Sequence, residues 1–255
     1  MTADGPIVLK LGGSVITDKE RPETLDGETL ATLADAIADV AAGQPGGTPA
    51  PLVLVHGGGS FGHHHASEHG VTTSAGTYDP AAVLDIHGAM TTLNQFVVQR
   101  LAERDVPAVP VHPLSAASRA ADGTLTLPTN QVTTLHQEGF VPVLHGDGVA
   151  HAGEGVTVLS GDEIVAALAR TLEASAVGLC STVPGVLDEQ DEVIDRVSTT
   201  ADVADVLGDS EATDVSGGMA RKVQTLLDLE QPASIFAPDR LDAFLDGETP
   251  GTTVE

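Results

Sequence analysis

Apolar runs that end in glycine clusters constrain this chain more than any other feature. Pro6-Ile7-Val8-Leu9-Lys10-Leu11 runs straight into Gly12-Gly13-Ser14, and Leu52–Val55 runs into His56-Gly57-Gly58-Gly59-Ser60-Phe61-Gly62-His63. A short apolar run bounded by turn residues reads as a buried strand. Glycines directly after it let the backbone turn tightly or approach an anion closely. Between these runs the apolar period changes. Leu30, Leu33, Ile37 and Val40 predict a helix over 26–42, and Val83, Ile86, Met90, Leu93, Val97 and Leu101 predict a long one over 79–104. Residues 43–51 read as a loop, 148–158 as a hairpin, and further strands are expected near 107–111, 140–145, 175–180 and 232–236, the last completing the chain. Helices are expected after Gly161-Asp162 and over 218–229. Strands alternating with helices and buried on both faces make an α/β layered, mostly parallel sheet. There is no internal repeat and no clear linker, so residues 1–255 read as one domain. Ligands of such sheets bind beyond the carboxyl ends of the strands, which is where each glycine cluster falls.

Composition narrows the search for chemistry. The chain carries 37 Asp plus Glu against 11 Lys plus Arg, a formal net charge of −26, spread along its length. Nucleic acid and anionic membranes are repelled by such a field. Dispersed acid with 2% aromatic residues fits work in concentrated salt, where the Debye length falls to about 3 Å at 1 M and surface repulsion is screened. No run is long enough to span a bilayer, the start lacks the basic and apolar regions of a signal peptide, and Cys180 has no partner for a disulfide and reads as a small buried residue. The expected location is cytoplasmic. In a surface so acidic, the three lysines, Lys10, Lys19 and Lys222, draw attention. Two of them sit in glycine motifs.

Lys10 closes the first strand beside Gly12 and Gly13, an arrangement suited equally to a phosphate site and to a plain strand-to-helix turn. Gly57, Gly59 and Gly62 match G-x-G-x-x-G, but after the second strand and with no acid-terminated strand about 20 residues on, so a dinucleotide fold is disfavoured. The P-loop pattern G-x-x-x-x-G-K-[ST] is absent. Gly217-Gly218 precede Lys222 by one helical turn. Asp162 opens a helix, where it can serve as an N-cap, orient lysines, or both. Glycine loops and lysines converging at one sheet edge are what phosphoryl transfer needs, since its catalysis is positioning and charge neutralisation.

Five motifs in order, K-L-G-G-S at 10–14, H-G-G-G-S-F-G-H at 56–63, S-G-D-E at 160–163, S-T-V-P-G-V at 181–186 and D-V-S-G-G-M-x-x-K at 214–222, resemble the amino-acid kinase superfamily over about residues 6–236. The resemblance implies a three-layer αβα sandwich with an acceptor lobe over about 1–150 and a nucleotide lobe over about 151–255. Within the superfamily, His63 resembles the isopentenyl phosphate kinases, where a histidine at this place contacts the acceptor phosphate; relatives that phosphorylate carboxylates typically lack it. The expected reaction is ATP plus isopentenyl phosphate giving isopentenyl diphosphate and ADP, in a homodimer. The alternatives are a same-fold kinase for a phosphonate or an amino-acid carboxylate, and a nucleotide-binding regulator without catalysis.

The resemblance assigns catalysis to Lys10, Lys19, His63, Asp162 and Lys222. It assigns ATP to Lys10, Gly12, Gly13, Ser14, Gly58, Asp162, Gly185, Gly217, Gly218 and Lys222, and the acceptor to Gly57, Gly58, His63, Asp147, Ser160 and Gly161. Mg²⁺ is expected to accompany ATP. A phosphate monoester, with its second pKa near about 6, is already an anionic nucleophile and needs no general base. Relatives often carry proline where this chain has His64. His64 and His65 read as loop residues, and His65 with His69 forms an i, i+4 pair that lacks the further ligands of a structural zinc site. The long helix implies a wall of the hydrocarbon pocket somewhere among Ile86, Met90 and Val97, with adenine held between aliphatic groups.

Overall fold

The computed structural model describes residues 5–41, 51–203 and 218–255. Its centre is β1 (Ile7–Leu11), flanked by β2 (Leu52–His56) and β9 (Ala176–Cys180), both parallel to it. β6 (Val141–His145) and β3 (Ala108–Pro110) extend the sheet on one side, again in parallel. On the other side lie β11 (Ala233–Phe236), β12 (Thr252–Val254) and β10 (Arg196–Val197), in the order β10-β12-β11-β9-β1-β2-β6-β3. Among the described residues only the β11–β12 pair is antiparallel in this sheet.

Alternation along the strands makes the three layers. Leu9 and Leu11 face a core shared with the short helix α1 (Gly13–Ile16), α2 (Gly27–Ala41), α4 (Pro80–Ala102) and the short terminal helix α8 (Leu241–Leu245). Val8 faces the opposite core, shared with α5 (Asn130–Gln137), α6 (Gly161–Thr171) and α7 (Gly218–Leu227). Successive strand residues point to opposite faces, so Lys10 is carried onto the Val8 side, toward α6. Local chemistry sets the helix starts. Asp79 accepts from the Ala81 N–H at 3.0 Å with Pro80 in the first turn, and Asp26 accepts from the Thr29 N–H at 3.0 Å.

The expected three-layer, mostly parallel architecture is present, and the strands and helices fall within a few residues of their expected positions. Three expectations change. Residues 59–68 form a helix, α3, which takes in His64 and His65, expected in a loop, because Phe61 and Ala66 bury their side chains on its inner side. The chain does not finish at 232–236: Pro250-Gly251 turns it back so that β12 inserts between β10 and β11. The expected hairpin, β7 (Asp147–His151) with β8 (Gly155–Leu159), belongs to a second sheet with β4 (Ser118–Arg119) and β5 (Leu125–Thr126), in the order β5-β4-β7-β8. The 43–51 loop, apart from Pro51, lies outside the described residues. Among the described residues no helix is long and apolar enough to cross a membrane.

Candidate active site

The carboxyl ends of β1, β2 and β6 and the start of α6 enclose a cleft of about 250 Å³. Lys10, Lys19, Lys222 and His63 all line it, with Gly12, Gly13, Ser14, Gly57, Gly58, Asp147, Ser160, Gly161, Asp162 and Gly218. The first two glycine motifs are interlocked. A Cβ on Gly13 would lie 2.0 Å from the Gly59 nitrogen, and one on Gly57 would lie 2.6 Å from the Gly13 nitrogen. Gly59 itself holds φ +49°, the left-handed region that glycine adopts without penalty. Thr17 ties the pair: its hydroxyl donates to the Gly13 carbonyl at 2.8 Å and accepts from the Ser60 N–H at 3.0 Å. The two cradles are one device, because only bare backbone fits between them.

Lys10 Nζ donates to Asp162 Oδ1 at 2.7 Å, and both residues are buried. Asp162 is not the N-cap. Ser160 fills that place, accepting from the Glu163 N–H at 3.2 Å while Glu163 accepts from the Ser160 N–H at 3.0 Å. The cap frees Asp162 to orient Lys10, and the α6 amino end faces the cleft with its uncompensated N–H groups.

Asp147 lines the cleft floor, yet its carboxylate is fully engaged. It accepts from His87 Nδ1 at 2.9 and 3.0 Å, from the Leu114 N–H at 3.2 Å and from the Gly148 N–H at 2.8 Å. It therefore holds the floor in shape. Gly185 does not line the cleft; a Cβ there would meet Thr252 Oγ1 at 2.6 Å, so this glycine serves the approach of β12. Gly217 lies outside the described residues. Ala66, Ile86, Met90 and Val158 give the cleft an apolar wall, whereas Val97 packs in the sheet core.

Beneath the loops is a histidine network that the motifs did not announce. His56 and His145 are register partners at the ends of β2 and β6, fully buried and stacked with centroids 5.5 Å apart. Each donates from Nδ1 to the carbonyl of the glycine that follows it, Gly57 at 3.0 Å and Gly146 at 2.8 Å. With that proton placed, His145 Nε2 accepts from His112 Nδ1 at 2.8 Å. The repeated strand-His-Gly order was the available signal. Burial pushes His56 down to about 3 and His145 to about 4, and burial also lowers His112. The hydrogen bond that His87 donates to Asp147 raises His87.

These shifts set a pH dependence. Below about 6.5, the usual histidine value, the unfolded chain binds protons that buried His56 and His145 refuse, so folding stability falls as pH falls. His87 works the other way: its contribution is full below about 6.5 and fades as pH rises through its raised value. Between pH 7.5 and 5.5 the two buried histidines together are expected to cost about 3 kcal/mol, about 1.4 kcal/mol each, because the unfolded chain takes up their protons only over the unit below about 6.5. Denaturant unfolding in concentrated potassium salt checks this. A His56→Gln/His145→Gln variant should give a visibly flatter slope, and an unchanged slope would show that other groups control it.

The amino acid kinase family model matches residues 5–235. An isopentenyl phosphate kinase of Haloferax volcanii is 55% identical over 248 residues, covering 97% of this chain and 98% of that protein, and agrees with the salt-adapted composition. An isopentenyl phosphate kinase of Methanocaldococcus jannaschii is 29% identical, covering 97% and 98%. A solved isopentenyl phosphate kinase structure superposes with a TM-score of 0.82 at 27% identity, covering 98% of this chain and 99% of that one.

Proposed function

The chain belongs to the amino acid kinase family, and from that premise we propose that its cleft transfers the γ-phosphoryl group of ATP to isopentenyl phosphate, giving isopentenyl diphosphate and ADP. The observation that carries this reading is the convergence of three lysines and His63 in one cleft whose carboxylates, Asp147 and Asp162, are both engaged by the protein. An alcohol acceptor needs a base; an acceptor phosphate brings its own anionic oxygen and needs cations.

In this reading Lys10, held by Asp162, and Lys222 steady the ATP phosphates and the charge that develops on the transferred group. Lys19 neutralises that group from the other side. His63 donates to the acceptor phosphate, the Gly58 and Gly161 backbone amides complete its cradle, and the tail rests on Ala66, Ile86, Met90 and Val158. Among the described residues the lining offers no uncommitted carboxylate, so Mg²⁺ would be held by ATP oxygens and water, where it neutralises phosphate charge. A homodimer, a cytoplasmic location and the division into acceptor and nucleotide halves near residue 150 belong to the same proposal.

Steady-state turnover with ATP, Mg²⁺ and isopentenyl phosphate in concentrated potassium salt tests the reading. Turnover is expected, and His63→Ala should raise KM for the acceptor by roughly 10- to 100-fold, the 1.5–3 kcal/mol of a hydrogen bond to a charged group. Turnover on an amino-acid carboxylate instead, indifferent to His63→Ala, would overturn the acceptor and leave the kinase.

A further inference from the structure

One cluster outside the cleft has no part in phosphoryl transfer. His64, His65 and Glu68 share a face of α3, at spacings of three and four from the glutamate. Their nearest ligand atoms all lie within 4.8 Å of one another. His64 Nε2 is 3.9 Å and His65 Nδ1 3.7 Å from Glu68 Oε2, both beyond hydrogen-bond range. His69, four residues beyond His65, bonds Asp85 at 2.9 Å instead.

The disposition of His65 is the telling feature. Its Nε2 meets Glu23 Oε1 at 2.9 Å, so that nitrogen carries the proton and donates. Its Nδ1 then presents a lone pair, sealed from water and without a hydrogen-bond partner, toward the Glu68 carboxylate. Two acceptors facing each other across a gap too long for a hydrogen bond describe the place of a cation. A carboxylate behind the distal nitrogen of a histidine is also how proteins fix the tautomer and ring of a metal ligand. Glu23 is itself held in place. Its backbone sits at φ +49°, uncommon for a residue with a side chain, and its N–H donates to the Ser60 carbonyl at 3.1 Å.

We propose that His64, His65 and Glu68 bind a divalent transition-metal ion of the zinc class, with Glu23 orienting His65. Two imidazoles and one carboxylate select such an ion over magnesium or calcium, which take oxygen ligands. Bond lengths of about 2.0–2.2 Å require the three groups to close in slightly, which two half-exposed side chains permit. Water completes the coordination. All three ligands lie on α3, which also carries His63, and the ion would fix the His65 ring that bonds Glu23.

The test uses the full chain, freed of metal with a chelator, in concentrated potassium salt without ATP or acceptor, so its outcome is independent of the kinase reading. Co²⁺ is followed by visible absorption and Zn²⁺ by competition with a chromophoric chelator. One equivalent is expected. His64→Gln, His65→Gln and Glu68→Gln should each weaken binding at least tenfold, and Glu23→Gln by about 10- to 100-fold, while His69→Gln leaves it unchanged. Circular dichroism in the same salt confirms folding, and asparagine at the same position replaces any glutamine variant that fails. No bound ion at micromolar metal, binding that survives His64→Gln/His65→Gln, or binding lost equally in His69→Gln would each overturn the site.

Discussion

Lys10→Ala is expected to lower the rate of phosphoryl transfer by about 1,000-fold, in line with the loss of one fixed cationic group at a phosphoryl transition state. The reason lies in where the lysine sits. Alternation along β1 turns it away from the Leu9 and Leu11 core, and Asp162 holds its ammonium at 2.7 Å. A charge so held costs no reorganisation at the moment of reaction. The same burial gives the substitution a second consequence. Removing one member of a buried pair leaves the other uncompensated, typically a loss of about 3–5 kcal/mol. A fall in activity could then reflect a fall in folded protein, and a double variant separates the two. Lys10→Met with Asp162→Leu removes both charges and should recover most of the stability while remaining inactive. Single-turnover transfer from γ-labelled ATP and denaturant unfolding report the two quantities. Recovery of activity in the double variant, or a single variant within tenfold of the parent, would remove Lys10 from the chemistry.

The layered sheet was legible because β1, β2, β6 and β9 are apolar but for Lys10, His56 and His145 near their carboxyl ends, and only a strand covered on both faces reads that way. β10 and β12, two and three residues long, fall below the length at which periodicity speaks. The cleft was legible for the opposite reason: lysine is scarce, so each one carries information. Its supports were hidden. Nothing local says that Asp147 is occupied by His87, sixty positions away, or that Gly185 makes room for Thr252. His64 and His65 read as loop residues because three consecutive histidines after glycines suggest no helix; the burial of Phe61 and Ala66 decides it. The charged face of that helix becomes visible only once the fold brings Glu23 to it.

The glycines of the two loops carry the other large effect, and for a reason beyond the one the sequence suggests. They read as room for a phosphate. The geometry makes them first of all room for each other. Gly13→Ala would put a methyl group 2.0 Å from the Gly59 nitrogen and 2.6 Å from its Cα, and both are main-chain atoms that cannot swing aside. The clash is relieved only by parting the loops, which strains the bond from the Ser60 N–H to Thr17 Oγ1. Overpacking of this kind costs about 1–3 kcal/mol, and a shift of about 1 Å in reacting groups costs about 100-fold in rate. Gly13→Ala is therefore expected to lower kcat/KM by at least 100-fold and to shift the unfolding midpoint downward. Gly88→Ala supplies the contrast. Gly88 lies inside α4 with nothing within 4 Å of a Cβ, so alanine there should stabilise the protein by up to about 1 kcal/mol and leave kinetics unchanged. If Gly13→Ala behaves like Gly88→Ala, the loops have slack. If instead kcat/KM collapses and ATP still binds, the interlock acts on the transferring group rather than on the nucleotide. The loops would then be matched to each other first, and through each other to the phosphate between them.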